Sequence, residues 1–183
     1  MIKNYARTLF LLIIAALLSN CGFHLRGDLA DGNAGNFSSL IDTKFYIYNA
    51  GGAPQSMISE LRRRLIGHGA IVIKNKNNEK YADYIINIQG ATKNTQLTSV
   101  VGGASNNTFL AIYTVTYNVV KPEVKTPVVP DNSINAQMFW QSNSSTQLAQ
   151  NNELERIWSY LQADLLTRIV LQIAELLPSK ETK

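Results

Sequence analysis

Cysteine is almost absent from this chain, which contains one such residue, Cys21, among its 183 residues. A lone cysteine cannot close a disulfide within the chain, so it is a free thiol, an intermolecular link or a modified residue. Histidine is nearly as rare, and the two residues, His24 and His68, are not spaced with the cysteine as metal ligands usually are. The sequence therefore predicts no metal and no cofactor.

A long apolar run is also missing. The run Leu9–Leu18 is ten residues long, whereas a membrane-spanning helix needs about 20. Lys3 and Arg7 precede this run, and a basic start before a short apolar core is typical of a secretory signal peptide. We therefore predict that residues 1–20 are a signal peptide. The alternative, a buried N-terminal helix, is disfavoured because this segment shows no helical periodicity.

The chain has little net charge. Its formal charge is +4, and loss of a signal peptide that carries Lys3 and Arg7 leaves about +2. Nucleic-acid binding usually requires a stronger basic footprint, so we predict no nucleic-acid partner. The sequence also lacks a nucleophile elbow, a P-loop, a pair of closely spaced histidines and a glycine-rich dinucleotide loop. We therefore predict that the protein is not an enzyme.

Alternation and helical spacing predict an α+β fold. Apolar residues at three- and four-residue steps predict helices after Pro54 and from Leu154 to Leu176. The connector or edge segment is predicted over residues 121–132, which carry three prolines. Strands rich in β-branched and aromatic residues are predicted at residues 44–48, 71–73, 84–101, 108–120 and 134–142.

These elements predict a two-layer sandwich, with two helices packed on one face of a mixed, mostly antiparallel, four- to five-stranded sheet. Burial of the apolar stripe on the second helix requires that this helix lie along the sheet. The single domain is predicted to span residues 41–178. Residues 21–40 are predicted to be the N-terminus and tether, because Asp28 to Leu40 is rich in glycine and small polar residues. Residues 179–183 form a C-terminal tail.

The long strands carry few charged residues. This composition determines the chemistry of the sheet face that points away from the helices, which we call the uncovered face. No charged residue occurs in residues 94–120 or 132–152. Water-exposed sheet faces and edges usually carry Lys and Glu, whereas the cores of protein interfaces are depleted in charge and enriched in aromatics. We therefore predict that this face docks against another protein, the alternative being a neutral but solvated surface. The candidate docking residues are Thr114, Thr116, Asn118, Gln137, Gln141 and Trp140.

The order Leu18-Ser19-Asn20-Cys21 resembles a lipoprotein processing site, with leucine three residues before the acceptor cysteine. This resemblance implies that Cys21 becomes the first residue of the mature protein and carries S-diacylglycerol and N-acyl chains. More than one acyl chain gives stable membrane anchoring. Gly22 follows the cysteine, where an Asp would resemble an inner-membrane retention signal. The implied location is the periplasmic leaflet of the outer membrane.

The segment Cys21–Gly27 resembles the opening of the LptE family, with an aromatic residue at Phe23 followed by His-Leu-Arg. The order of helices and long strands is also similar through to the C-terminal helix. Membership would imply a lipoprotein that sits as a plug in the lumen of an outer-membrane β-barrel, LptD. It would support assembly of that barrel and take part in inserting lipopolysaccharide (LPS) into the outer leaflet.

The resemblance also implies possible contact with LPS. Such contact is attributed in the family to basic residues at the central hairpin end and just before the last helix. The predicted hairpin tip here, Val101 to Asn107, has no basic residue, so the candidate contacts are Lys93 and Lys121. Two other functions stay open: an accessory lipoprotein subunit of another envelope transport system, and a periplasmic lipoprotein that binds a small ligand.

Overall fold

One mixed sheet carries the fold, and its five strands lie in the order β2-β1-β3-β4-β5. The computed structural model describes residues 37–100, 107–142 and 147–178. In that part of the chain the elements are β1 (Lys44–Asn49), α1 (Gln55–Gly67), β2 (Ile71–Ile73), a 3-10 helix (Lys76–Tyr81), β3 (Tyr84–Val100), β4 (Asn107–Lys121), β5 (Val124–Ser142) and α2 (Gln147–Leu176). The strand β1 pairs in parallel with β2 and β3, whereas β3, β4 and β5 pair in antiparallel fashion. The predicted α+β sandwich is confirmed.

Helix α1 forms where the sequence predicts it, because its apolar residues share one side. Pro54 occupies the position just before the helix, and the buried residues of the helix are Met57, Ile58, Leu61 and Leu65. It ends where Gly69 adopts a φ of 85°, a left-handed conformation that favours glycine. The Ala70 N–H donates to the Leu65 carbonyl, so the chain turns directly from the helix into β2.

Helix α2 supplies the other half of the helical layer. Leu161, Leu165 and Ile169 lie on its buried side, and contacts across the layer tie the two helices to β4. The Tyr113 hydroxyl lies 3.7 Å from the sulfur of Met57 in α1, and its ring meets Trp158 of α2 edge-on at 6.2 Å. One continuous core therefore fills the space between both helices and the sheet.

Strand β5 is longer than predicted. Residues 121–132 were expected to be a connector or an edge segment, and the structure makes most of them the first half of an edge strand. Pro127 and Pro130 fit there because proline is tolerated on edge strands and where strand pairing is irregular. The pairing of β4 with β5 shifts register three times between Tyr117 and Lys121. These irregularities accommodate the prolines.

The first described residues are packed into the domain. Leu40 is buried, and the Ser39 hydroxyl donates to the carbonyl of Ala174 in α2. Residues 37–40, which sequence analysis assigns to the tether, therefore belong to the ordered domain. The predicted signal peptide at residues 1–20, the acylated Cys21 and the tail at residues 179–183 lie outside the described residues. Within the described ranges, no helix is both long and apolar enough to cross a membrane.

Candidate partner-docking surface

The register of β3, β4 and β5 determines which side chains share the uncovered face. Residues paired across an antiparallel sheet lie on the same side, and Tyr113, Val115 and Tyr117 face the helices because they are buried. The alternate positions of β4 therefore lie on the uncovered face. They form four three-residue rows with their partners: Gly90, Thr116 and Ser133; Thr92, Thr114 and Asn135; Asn94, Ile112 and Gln137; Gln96, Leu110 and Phe139.

These four rows contain no charged residue. Thr92, Thr114 and Asn135 form one row of hydroxyl and amide groups, and the Thr116 hydroxyl lies 3.3 Å from that of Ser133 in the next row. Hydroxyls and amides can both donate and accept hydrogen bonds, and they are less expensive to remove from water than charged groups. The two rows that contain Thr114 and Thr116 therefore present a polar, neutral surface to whatever covers them.

A hydrogen-bond network lies at one end of these rows, beside the row that contains Thr116. One carboxylate oxygen of Asp131 accepts from the side-chain amides of Asn118 and Gln89, each at 2.7 Å. Asn118 in turn accepts at 2.7 Å from the amide of Asn87. The hydrogen bonds from Asn118 and Gln89 lower the pKa of the exposed Asp131 carboxyl, since both favour the ionised form. This network fixes the amide orientations across three strands.

The other end of the face, at the row that contains Phe139, is apolar and is called the distal end. Phe139 is 65% exposed and lies beside Leu110 in the last of the four rows. The prediction that Trp140 lies on the uncovered face is wrong, because Trp140 pairs with Phe109 and packs against the core on the helix side. Adjacent strand residues point to opposite faces. Of these two adjacent aromatic residues, Phe139 is therefore the one available to a partner.

The other five predicted docking residues lie on the uncovered side of the sheet. Thr114, Thr116 and Asn118 follow one another along β4, and Gln137 lies in the row of Ile112. Gln141 pairs with Thr108 at the distal end. The structure brings these residues onto one continuous surface, and their role in docking a partner remains a proposal.

The two candidate LPS contacts are not brought together. Lys93 lies on the helix-facing side, with its ammonium 5.7 Å from the ring of Tyr113 and 5.5 Å from that of Trp158. Lys121 ends β4, with its ammonium 5.6 Å from the ring of Tyr84. Lys121 lies eight positions along β4 from Tyr113, the residue opposite Lys93, which corresponds to about 26 Å at about 3.3 Å per residue.

Sequence reasoning missed Phe139 and the Asp131 network for different reasons. Gln137 and Gln141 are an even number of residues apart, so they share one face of the strand with Phe139, and Trp140 must lie on the other face. The spacing of the predicted residues therefore already excluded Trp140. The network joins residues that are 42 positions apart in the chain, Gln89 and Asp131. No local pattern marks that pair, because strand order and register bring it together.

Comparison with known proteins gives a consistent result. A family model for LptE, described as lipopolysaccharide-assembly, matches residues 43–173. No curated protein sequence matches the chain significantly. Its fold is similar to solved structures of a minor lipoprotein from Acinetobacter baumannii (17% identity, TM-score 0.60, covering 78% of this chain and 98% of that one) and of lipoprotein B from Nitrosomonas europaea (20%, 0.60, 75% and 86%). The rare lipoprotein B of Shewanella oneidensis is also similar (15%, 0.58, 72% and 94%).

Proposed function

Because this chain belongs to the LptE family of lipopolysaccharide-assembly proteins, we propose that it docks its uncovered face inside a large outer-membrane β-barrel of the LptD kind. In this role it supports assembly of the barrel and takes part in inserting LPS into the outer leaflet. The family is one of non-enzymatic lipoproteins. The observation that carries the proposal is the run of four charge-free rows across β3, β4 and β5.

The chemistry of the rows suits the inside of a barrel. Barrel interiors are polar, so a plug must exchange hydrogen bonds to water for hydrogen bonds to the wall. Thr92, Thr114 and Asn135 offer neutral donors and acceptors for this exchange. Burial of a lysine in the same place would require a matching acidic partner. The exposed Phe139 adds an apolar contact at the distal end. Aromatic residues are enriched in protein interfaces.

The proposed anchor limits where the domain can dock. Cys21 would hold the acylated N-terminus in the periplasmic leaflet of the outer membrane, and the described domain begins at Phe37. Phe37 lies sixteen positions after Cys21, and an extended chain spans at most about 55 Å over that length. The tether thus allows the domain to enter a barrel in the same membrane.

LPS itself has two separate candidate contacts in this proposal, Lys93 and Lys121. Because the backbone positions of these two lysines are about 26 Å apart along the sheet, a single phosphate group can contact only one of them. Both ammonium groups lie against aromatic rings, an arrangement that holds a cation while leaving part of it accessible. The proposal therefore assigns the main role to protein docking and a secondary role to LPS contact.

Photo-crosslinking from inside cells tests the docking proposal. A photoreactive residue at Thr116, near the middle of the uncovered face, should capture a large outer-membrane barrel protein. The matched control is the same residue at Arg63, which lies on α1 and has a 78% exposed side chain. Capture of the barrel from Thr116 and not from Arg63 is the expected result. Equal capture from both positions, or no barrel from Thr116, would refute the proposal.

A second experiment measures association by co-purification. The change Thr114→Lys puts a charge among the neutral rows and should reduce the barrel recovered with the chain by at least about tenfold, since a buried unpaired charge is expensive. Ser56→Lys, on the exposed surface of α1, is the control and should leave recovery unchanged. Full recovery with Thr114→Lys would mean that this face is not the contact.

A further inference from the structure

Within the described residues, features that block strand pairing occur along only half of the outer edge of β5. The half from Val124 to Asp131 contains Pro127 and Pro130, and its pairing with β4 is irregular. Prolines, bulges and charges are the means by which proteins prevent unwanted strand pairing. The half from Asn132 to Ser142 has no charge, no proline and no glycine over eleven residues. It pairs with β4 without a register shift.

This unprotected half is long enough to accept another strand. In an antiparallel pair, every second residue directs its N–H and C=O away from the neighbouring strand, so eleven residues present roughly five such positions. Within the described ranges, the side-chain contact to this backbone from outside the sheet is a long one of 3.5 Å, from the Arg168 guanidinium to the Asn135 carbonyl. The opposite edge of the sheet, β2, is three residues long.

The two sides of this edge differ in chemistry. On the helix side, β5 and α2 border a shallow groove of about 660 Å3, lined by Met138, Ile157 and Tyr160 together with Glu153, Glu155, Arg156 and Ser159. Among the described strand residues only Met138 lines it, so the groove lies between this part of β5 and the first half of α2. On the uncovered side, the edge presents Asn135, Gln137 and the exposed Phe139.

We infer that the stretch Asn132–Ser142 binds an extended segment of another protein as a sixth strand of the sheet. Side chains of an added strand alternate between the two sides. One set enters the groove beside Met138 and Tyr160, which favours apolar residues. The carboxylates of Glu153 and Glu155 outnumber the guanidinium of Arg156 there, so the segment carries a Lys or Arg in this set. The other set lies beside Gln137 and is neutral.

Charge and shape disfavour a second copy of this chain as the occupant. The Met138 and Trp140 side chains of that copy would already be packed against its own core, so they could not fill the groove. Its own Glu153 and Glu155 would also approach those of the first copy, and like charges repel. A single extended segment brings neither conflict.

The inference does not depend on the barrel as the partner. The docking proposed above uses side chains on the uncovered face, whereas this site uses backbone groups at the edge and the groove beside α2. A segment from any envelope protein with the stated chemistry meets the requirement. The two ideas can therefore fail separately.

A synthetic peptide tests the site on the full mature chain in detergent. The probe is a nine-residue peptide that alternates Thr and Val, with one Val replaced by Lys. It is compared with two analogues that carry N-methyl groups on one alternate set of amides or on the other. Methylation of the set that faces the edge should weaken binding by at least about tenfold, because several hydrogen bonds are lost together. Methylation of the other set should have little effect.

Hydrogen exchange supplies the direct readout. The peptide should slow exchange of alternate amides within Asn132–Ser142 and leave those of β2 unchanged. Equal binding by both methylated analogues, or unchanged exchange in β5, would overturn the inference. These outcomes do not depend on any variant of the protein that might fail to fold.

A charge exchange tests the groove. Glu153→Lys should weaken binding of the Lys-containing peptide by about threefold, as expected for an exposed ion pair, and a peptide with Glu in place of Lys should bind this variant better than the native chain. No response to either change would exclude the groove. Thr92→Lys, on the uncovered face of β3 away from the edge, separates the two proposals. Peptide binding should survive this change, whereas barrel recovery should fall if the docking proposal is correct.

Discussion

The rings of Phe109 and Trp140 stack across β4 and β5, with centroids 5.0 Å apart. This contact places Trp140 on the helix side of the sheet and its neighbour Phe139 on the uncovered face. Two adjacent aromatic residues thus have different roles. Trp140 contributes to packing, and Phe139 is exposed to whatever covers the sheet.

Alanine substitutions should separate these roles. Trp140→Ala should lower the free energy of unfolding by roughly 1–3 kcal/mol, because a partly buried ring and its stacking contact are lost. Phe139→Ala should change it by less than about 0.5 kcal/mol, as expected for an exposed side chain, while reducing recovery of the barrel. Chemical denaturation measures the first quantity. The opposite ranking of the two stabilities would contradict the assignment of faces.

A close approach of two backbone segments makes Gly51 irreplaceable. Its N–H donates to the Ile88 carbonyl, and a Cβ at this position would collide with the carbonyl group of Gln89, beside the register shift between Ile88 and Gly90. Gly51→Ala should therefore destabilise the fold by roughly 1–3 kcal/mol, since one of two backbone segments must move.

The matched control for this change is Gly67→Ala. A Cβ at Gly67 meets nothing within 4 Å, and the residue lies at the end of α1, where alanine is the better helix former. Its free energy of unfolding should stay equal or rise by up to about 1 kcal/mol. Thermal or urea unfolding of both variants gives the comparison, and equal losses would show that the close approach has no effect.

Asp131 should make stability depend on pH in the acid range. Its pKa is lowered from 3.8 by hydrogen bonds from Asn118 and Gln89. The stabilisation is therefore fully present above the unfolded-state pKa and is lost as the pH falls through the lower folded-state pKa. The free energy of unfolding of the native chain should fall more steeply below pH 3.8 than that of Asp131→Asn. Parallel curves for the two proteins would contradict this reading of the network.

The half-buried side-chain amide of Gln172 should contribute more to stability than the Tyr117 hydroxyl that donates to it. Its oxygen accepts from the Tyr117 hydroxyl at 2.7 Å and from the Asn132 amide at 2.8 Å. Tyr117→Phe removes one donor and should cost about 1 kcal/mol. Gln172→Leu leaves both donors without this acceptor and should cost roughly 2–3 kcal/mol. A smaller loss for Gln172→Leu, measured by denaturation, would mean that water replaces the acceptor.

Cys21 should determine where the protein is found after cell fractionation. Cys21→Ala removes the predicted acyl acceptor, so the chain should remain unprocessed or lose its stable membrane attachment. Mass spectrometry of the mature N-terminus and separation of membrane from soluble fractions measure the result. A variant that is processed and retained in the outer membrane like the native chain would refute acylation at this residue.

Local patterns predicted the helices and most strands, because the spacing of apolar residues is set by the geometry of each element. The start of the last helix at Gln147 was missed because its first turns are polar, so the apolar stripe that marks the helix begins only at Leu154. The first half of β5 was not predicted as a strand because Pro127 and Pro130 are typical of loops. Proline is compatible with a strand only at the edge of a sheet, and the edge position was not known from the sequence.

The neutral composition of the uncovered face was predictable from the sequence, but the full set of residues that lie on it was not. The absence of charge in residues 94–120 is visible in the sequence, and the alternation in β4 correctly grouped Thr114, Thr116 and Asn118. The choice between Phe139 and Trp140 needed the register of β5 against β4. Prediction of the bulge after Ile88 and of the hydrogen bond from Gln89 to Asp131 would also have required the strand order.

The amino-acid sequence by itself determined the elements, the layer that the helices form and the neutrality of the long strands, since all three follow from residue types at fixed local spacing. Only the tertiary structure decided which aromatic residue is exposed, where the polar network forms and which half of β5 is left unprotected. These features depend on register and strand order, which arise when residues far apart in the chain are paired and no single segment specifies them.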